Sequence, residues 1–253
     1  MKVNNIYLET VWFGPLPDKS VTIIFLHEGL GCVKMWHDFP EDVAKATGCG
    51  AFVYSRQGYG GSDACELPLP LTFMHNEGLN VLPALIREAG IKKHILIGHS
   101  DGASIALIYA GGLQDKNCLG IIAEAPHIFC EDKTVNHIRE AKDWYEKGDL
   151  KKGLEKYHGK NTDCAFYGWN GAWLDPGFKK WNIEEYLPDI KVPTFVIQGA
   201  DDKYGSLAHM QGIESKCGSD VKTLVLENCG HSPHKDQREI VLRAMTEFVK
   251  NLL

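Results

Sequence analysis

The chain has 253 residues, 44% of them hydrophobic, and a formal net charge of −6. That length supports one large domain with a substantial core, while the mild acidity and the lack of any Lys/Arg cluster argue against a nucleic-acid partner. The apolar run Val21 to Leu26 is far too short to span a bilayer, and no signal-peptide pattern opens the sequence. A soluble, cytoplasmic protein without stable membrane insertion is therefore expected.

In chain order, Asn5 to Phe13 reads as an extra strand that could run antiparallel, ending at the turn Gly14-Pro15. Val21 to Leu26 and Ala51 to Tyr54 are strand candidates, and Phe73 to Ala89 has apolar residues at helical spacing. Next come a strand at His94 to Ile97, a helix segment at Ser104 to Gly111 and a strand at Leu119 to Ala123. Thr194 to Ile197 and Lys222 to Leu226 are further strands, and a helix from Ile240 to Leu252 closes the chain. The strands are continuous apolar runs, as central strands buried on both faces must be. Their alternation with helices predicts an α/β fold with a mostly parallel sheet flanked by helices.

One stretch, from about 129 to 187, breaks the rhythm. It has no convincing buried strand, reads as mostly helical, and holds Trp144, Trp169, Trp173 and Trp181, four of the 6 tryptophans. Sites in parallel sheets lie at the carboxyl ends of the strands, so a helical insertion there is expected to cap a site within a single 1–253 domain. The 8 cysteines are scattered without paired short spacing, which predicts reduced, mostly buried thiols and no zinc site.

The chemistry-bearing motif is Gly98-His99-Ser100-Asp101-Gly102, placed between a strand and a helix. A sharp turn of this G-x-S-x-G type projects the serine above the sheet at a helix N-terminus, where negative charge is favoured. Ser100 is thus the candidate nucleophile. Among 11 histidines, His231 follows the last strand in Gly230-His231-Ser232-Pro233 and is the candidate base, with His234 as the fallback. The orienting acid is expected between them in Gln198-Gly199-Ala200-Asp201-Asp202, where two carboxylates stand side by side. The backbone N–H of Asp101 and one from the loop His27-Glu28-Gly29-Leu30-Gly31 are the expected oxyanion donors, Gly29 ahead of Leu30. Leu30, Trp144, Trp169 and Trp173 are the expected substrate-pocket residues. Arg56 is expected to brace the loop at Gly58 to Gly61.

These segments, with Arg56-Gln57-Gly58-Tyr59-Gly60-Gly61-Ser62, occur in the order typical of the α/β-hydrolase superfamily, which the chain resembles over nearly its whole length. The likeness is to the cap-bearing branch of esterases, monoacylglycerol-lipase-like enzymes and carbon–carbon-bond hydrolases. The resemblance implies that the acid is Asp202 rather than Asp201, and that the tryptophan-rich insertion is a lid. Glu28 departs from the family's usual His-Gly, and Ser55 from its usual Asp. The implied activity is cleavage of a small to medium carboxylic ester by a Ser-His-Asp acyl-enzyme route, with a small-molecule ester as partner and no metal or organic cofactor. Alternatives are carbon–carbon cleavage of a vinylogous diketone by the same triad, and a ligand-sensing receptor with vestigial hydrolysis.

Overall fold

The computed structural model describes residues 1–253. A short hairpin, β1 (Lys2–Val3) with β2 (Ile6–Tyr7), precedes a seven-stranded sheet of β3 (Thr10–Phe13), β4 (Thr22–Leu26), β5 (Gly50–Tyr54), β6 (His94–His99), β7 (Cys118–Glu124), β8 (Thr194–Gly199) and β9 (Val221–Leu226). Its order is β3-β5-β4-β6-β7-β8-β9. Only β3 runs antiparallel, paired with β5; every other pairing is parallel. The expected extra strand from Asn5 to Phe13 is thus two pieces, Ile6–Tyr7 and Thr10–Phe13; the turn at Asn4 and Asn5, both with positive φ, folds β2 back onto β1.

Helices α1 (Phe39–Thr47), α2 (Phe73–Asn76), α3 (Leu82–Glu88) and α4 (Asp101–Leu113) connect the first strands. The helix expected over Phe73 to Ala89 is not uniform: a π-helical turn at Glu77–Val81 separates α2 from α3. Pro83 opens α3, and a proline there has no N–H for an i→i−4 bond and crowds the preceding turn. Successive residues on β4, β6 and β7 alternate between two apolar layers. Ile24, Leu26, Leu96 and Ile121 pack on one face, and Ile23, Phe25, Ile95, Ile97 and Ile122 on the other. Each such side chain contributes about 1.5–3 kcal/mol on burial.

Between β7 and β8 the chain leaves the sheet as α5 (Asp132–Lys147), α6 (Leu150–His158) and α7 (Thr162–Leu174), followed by two 3-10 turns, Pro176–Lys180 and Glu184–Asp189. Aromatic contacts hold this insertion together. Tyr145 stacks on Phe166 at 3.6 Å, and Phe178 stacks on Trp181. Then α8 (Ala208–Lys216), α9 (Pro233–Asp236) and α10 (Arg238–Lys250) complete the fold. Half of the cysteines, Cys32, Cys49, Cys118 and Cys229, are buried, fewer than expected. No helix is long and apolar enough to cross a membrane.

The chain goes from β4 outward to β5, then returns past β4 to β6. This reversal of direction opens a crevice at the carboxyl ends of β4 and β6. Leu26 and Gly98 are in register across that pair. The loop after β4 and the turn after β6 therefore meet side by side.

Candidate active site

Ser100 caps the N-terminus of α4 with φ 54° and ψ −117°, a backbone state that costs roughly 1–3 kcal/mol in a non-glycine residue. Two glycines make this turn possible. A Cβ on Gly102 would stand 2.0 Å from the carbonyl oxygen of Leu26, and one on Gly98 would stand 2.3 Å from that of Gly102. α4 is thereby drawn tightly against β4, and the serine side chain faces the crevice.

Three side chains from three loops converge there. The Ser100 hydroxyl is 2.9 Å from His231 Nε2, and His231 Nδ1 is 2.8 Å from Asp202 Oδ2. The carboxylate only accepts, so Nδ1 carries the proton, and Nε2 is left to accept from the serine O–H. Asp202 is buried, whereas its neighbour Asp201 is exposed. Its Oδ1 accepts from the N–H groups of Tyr204 at 2.7 Å and Gly205 at 3.2 Å, and its Oδ2 also accepts from Gln198 Nε2 at 2.5 Å. Burial alone would raise this carboxyl, but His231 and the Tyr204 N–H outweigh it and hold it down to about 2. His99 Nε2–H donates to the backbone carbonyl of His231 at 2.6 Å, which pins the histidine loop to β6. His234, the fallback base, is directed elsewhere: it is buried against Glu124 at 2.9 Å.

Gly29 and Asp101 both line this crevice, and the backbone N–H of neither has a protein acceptor. Glu28 does not disturb them as a free charge. Against the upward push of burial, His99 and then Lys235 hold its carboxyl well below the usual range, each about 3.5 Å away. Arg56 braces the Gly58 to Gly61 loop through Tyr59, whose ring lies 4.9 Å from the guanidinium and whose N–H donates to the Arg56 carbonyl at 3.1 Å. Gly60 and Gly61 donate to His158 and Glu9. The Arg56 guanidinium turns toward the loop after β4 and donates to the carbonyls of His27 and Glu28.

A cavity of about 130 Å³ opens over Ser100. Leu30, Trp169 and Trp173 line it, together with His127, Tyr204 and Ile138, for which the sequence offers no motif. A Cβ on Gly29 would meet Trp169 Nε1 at 2.2 Å, so the tryptophan from α7 lies directly on the glycine. Trp173 donates from its indole N–H to Asp101 Oδ1 at 3.3 Å. Trp144 does not belong to the site. It is 58% exposed, because the buried stripe of α5 runs through Val135, Ile138, Ala141 and Tyr145 and leaves Trp144 on the outer face. His127 had a usable signal, since it follows the carboxyl end of β7. Burial, then His209 and His231, push its pKa down to about 3, so it is neutral at pH 7.

A sequence profile described as the alpha/beta hydrolase family matches residues 23–244, and the chain belongs to that family. Alpha/beta hydrolase domain-containing protein aho-3 of Caenorhabditis elegans is 23% identical over 220 residues, which cover 86% of this chain and 54% of that protein. The chain thus spans about half the length of that relative. The fold is similar to MGS-M2, an alpha/beta hydrolase enzyme from a Medee basin deep-sea metagenome library, with a TM-score of 0.75 and 19% identity over 98% of this chain and 94% of the other. It is also similar to a thermophilic esterase from Thermogutta terrifontis, with a TM-score of 0.73 and 18% identity over the same shares of the two chains.

Proposed function

We propose that the protein is a serine hydrolase that cleaves small to medium carboxylic esters through an acyl-enzyme. The observation that carries this reading is the hydrogen-bonded relay from Ser100 through His231 to Asp202, beside two N–H groups that have no protein acceptor. His231 Nε2 takes the Ser100 proton as Oγ attacks the ester carbonyl. Asp202 keeps the imidazole in the required tautomer and stabilises its charged form. The N–H groups of Asp101 and Gly29 receive the oxyanion, an interaction worth about 3–4 kcal/mol of barrier per donor. His231 then gives the proton to the leaving alcohol, and water repeats the cycle on the acyl-enzyme.

The insertion acts as a cap in this reading, since α7 supplies Trp169 and Trp173 to the cavity wall. The small apolar cavity favours short acyl groups in a small-molecule ester. The test is turnover of p-nitrophenyl acetate, butyrate and octanoate by wild type and by Ser100→Ala. Wild type is expected to prefer the two short esters, and Ser100→Ala to lose activity about 10⁴-fold or more. Equal rates in the two proteins would sink the proposal.

A further inference from the structure

We propose that Arg56 is a positioning residue for the oxyanion hole, acting on both of its N–H donors from behind. The proposal rests on the reading of Ser100 as an acyl-transfer nucleophile. Arg56 lies just beyond β5 and is 3% exposed, yet it does not contact the cavity. Its Nη2 donates to the Glu28 carbonyl at 3.0 Å and its Nη1 to the His27 carbonyl at 3.1 Å. The Glu28 carbonyl and the Gly29 N–H belong to one peptide unit. In a trans peptide the two groups point in opposite directions, so anchoring the oxygen aims the hydrogen.

Two further donors converge on that oxygen. His27 Nδ1 lies 2.7 Å away and the Gly31 N–H 3.1 Å away. His27 Nε2 accepts from the Arg56 backbone N–H at 3.0 Å, which fixes the proton on Nδ1. Burial and the adjacent Arg56 keep this ring neutral, with its pKa well below the usual value. A carbonyl that accepts a charge-assisted bond draws electron density from its own amide nitrogen and makes the N–H a stronger donor. Arg56 thus aims and polarises the Gly29 N–H.

The second donor is treated through charge. Asp101 supplies its N–H, but its own side chain is a buried carboxylate beside the place where the oxyanion forms. Oδ1 accepts from Trp173, while Oδ2 has no hydrogen-bond partner and stands 3.8 Å from Arg56 Nη2. An uncompensated negative charge there would oppose the developing oxyanion. The guanidinium offsets it at close range in a site shielded from water.

The experiment uses Arg56→Met, Arg56→Lys and the double variant Arg56→Met with Asp101→Asn, which avoids a lone buried carboxylate. Each is assayed with p-nitrophenyl butyrate and with a short alkyl trifluoromethyl ketone, which forms a tetrahedral adduct with a nucleophilic serine. A fluorophosphonate label on Ser100 and a thermal melt accompany each assay. For Arg56→Met, kcat is expected to fall about 10²–10³-fold with KM within about threefold, and the ketone Ki to rise in proportion to the loss in kcat/KM; the double variant, freed of the Asp101 charge, is expected to recover part of that loss but to stay at least about tenfold below wild type. Arg56→Lys keeps the charge but not the two-carbonyl fork, and about a 10-fold loss is expected with the same split. A folded Arg56 variant with kcat within threefold of wild type, or one whose losses fall on KM with no change in ketone Ki, overturns the proposal. If Arg56→Met fails to fold, Arg56→Lys decides by the same criteria. A wild type that neither turns over nor takes the label overturns the reading of Ser100 instead, and the role of Arg56 with it.

Discussion

The crevice at the carboxyl ends of β4 and β6 and the helical insertion above it are built by different means. In the crevice, the backbone sets position. Ser100 is held by a strained turn between glycines, Asp202 by the N–H groups of Tyr204 and Gly205, and the His231 loop by a bond from His99 to its carbonyl. In the insertion, side chains set position: Tyr145 on Phe166, Phe178 on Trp181, and Trp173 on Asp101. Backbone anchoring fixes an atom to a few tenths of an ångström, as proton transfer needs. Aromatic packing fixes a wall, and walls tolerate substitution with repacking. Chemistry should therefore depend sharply on the crevice and only gradually on the insertion.

The strongest way to break that contrast is Asp202→Asn. An amide can stabilise the wrong tautomer of His231, so kcat on p-nitrophenyl butyrate is expected to fall about 10³–10⁴-fold with little change in KM. A loss below about tenfold would mean that the relay is not the reacting unit. The next largest effect is on folding. Gly102→Ala forces a Cβ against the Leu26 carbonyl, and a loss of about 3 kcal/mol or more is expected in denaturant titrations. A near-neutral Gly102→Ala would show that the turn is looser than its contacts imply.

A milder prediction sets two tryptophans of the insertion against each other. Trp169→Ala should raise KM for butyrate about five- to tenfold and widen acyl-chain tolerance, with kcat within about threefold. Trp144→Ala, on the outer face, should leave both constants within about twofold. Equal effects from the two would erase the distinction between wall and surface.

A further prediction concerns acid stability. His127 is held down to about 3 and Asp202 to about 2, so both bind protons more tightly in the unfolded chain. Stability present at pH 7 should be lost from about pH 6.5 toward 3 as unfolded His127 protonates, and further from about pH 4 toward 2 through Asp202. Denaturant midpoints at pH 7, 5 and 3.5 should show this decline. His127→Gln should flatten its first part, and an unchanged slope would contradict the assignment.

The same contrast explains what the sequence could reveal. The buried strands were legible because a strand covered on both faces must be a continuous apolar run, as Ile23 to Leu26 and Ile95 to Ile97 are. The positions of Ser100, His231 and the Asp201-Asp202 pair were legible because backbone geometry demands glycines and loops at fixed places along the chain. Choosing Asp202 over Asp201 needed resemblance, since burial separates the two and sequence does not show burial. Trp144 lies outside the cavity because its phase on α5 turns it outward, and residue type alone does not reveal that phase. The bonds from Arg56 to the carbonyls of His27 and Glu28 are not legible, because those carbonyls lie 29 and 28 residues away and carry no side-chain signature. The π turn at Glu77–Val81 was hidden inside a pattern with helical spacing on both sides.

The central claim is that Ser100 is the nucleophile, activated by His231. The most direct measurement is intact-mass and peptide analysis after exposure to a fluorophosphonate probe, with wild type, Ser100→Ala and His231→Ala side by side. The account predicts one stoichiometric adduct in wild type, mapped to Ser100, with none in Ser100→Ala and labelling slowed at least 10²-fold in His231→Ala. An adduct on another residue, or none on a folded wild-type protein, would contradict it.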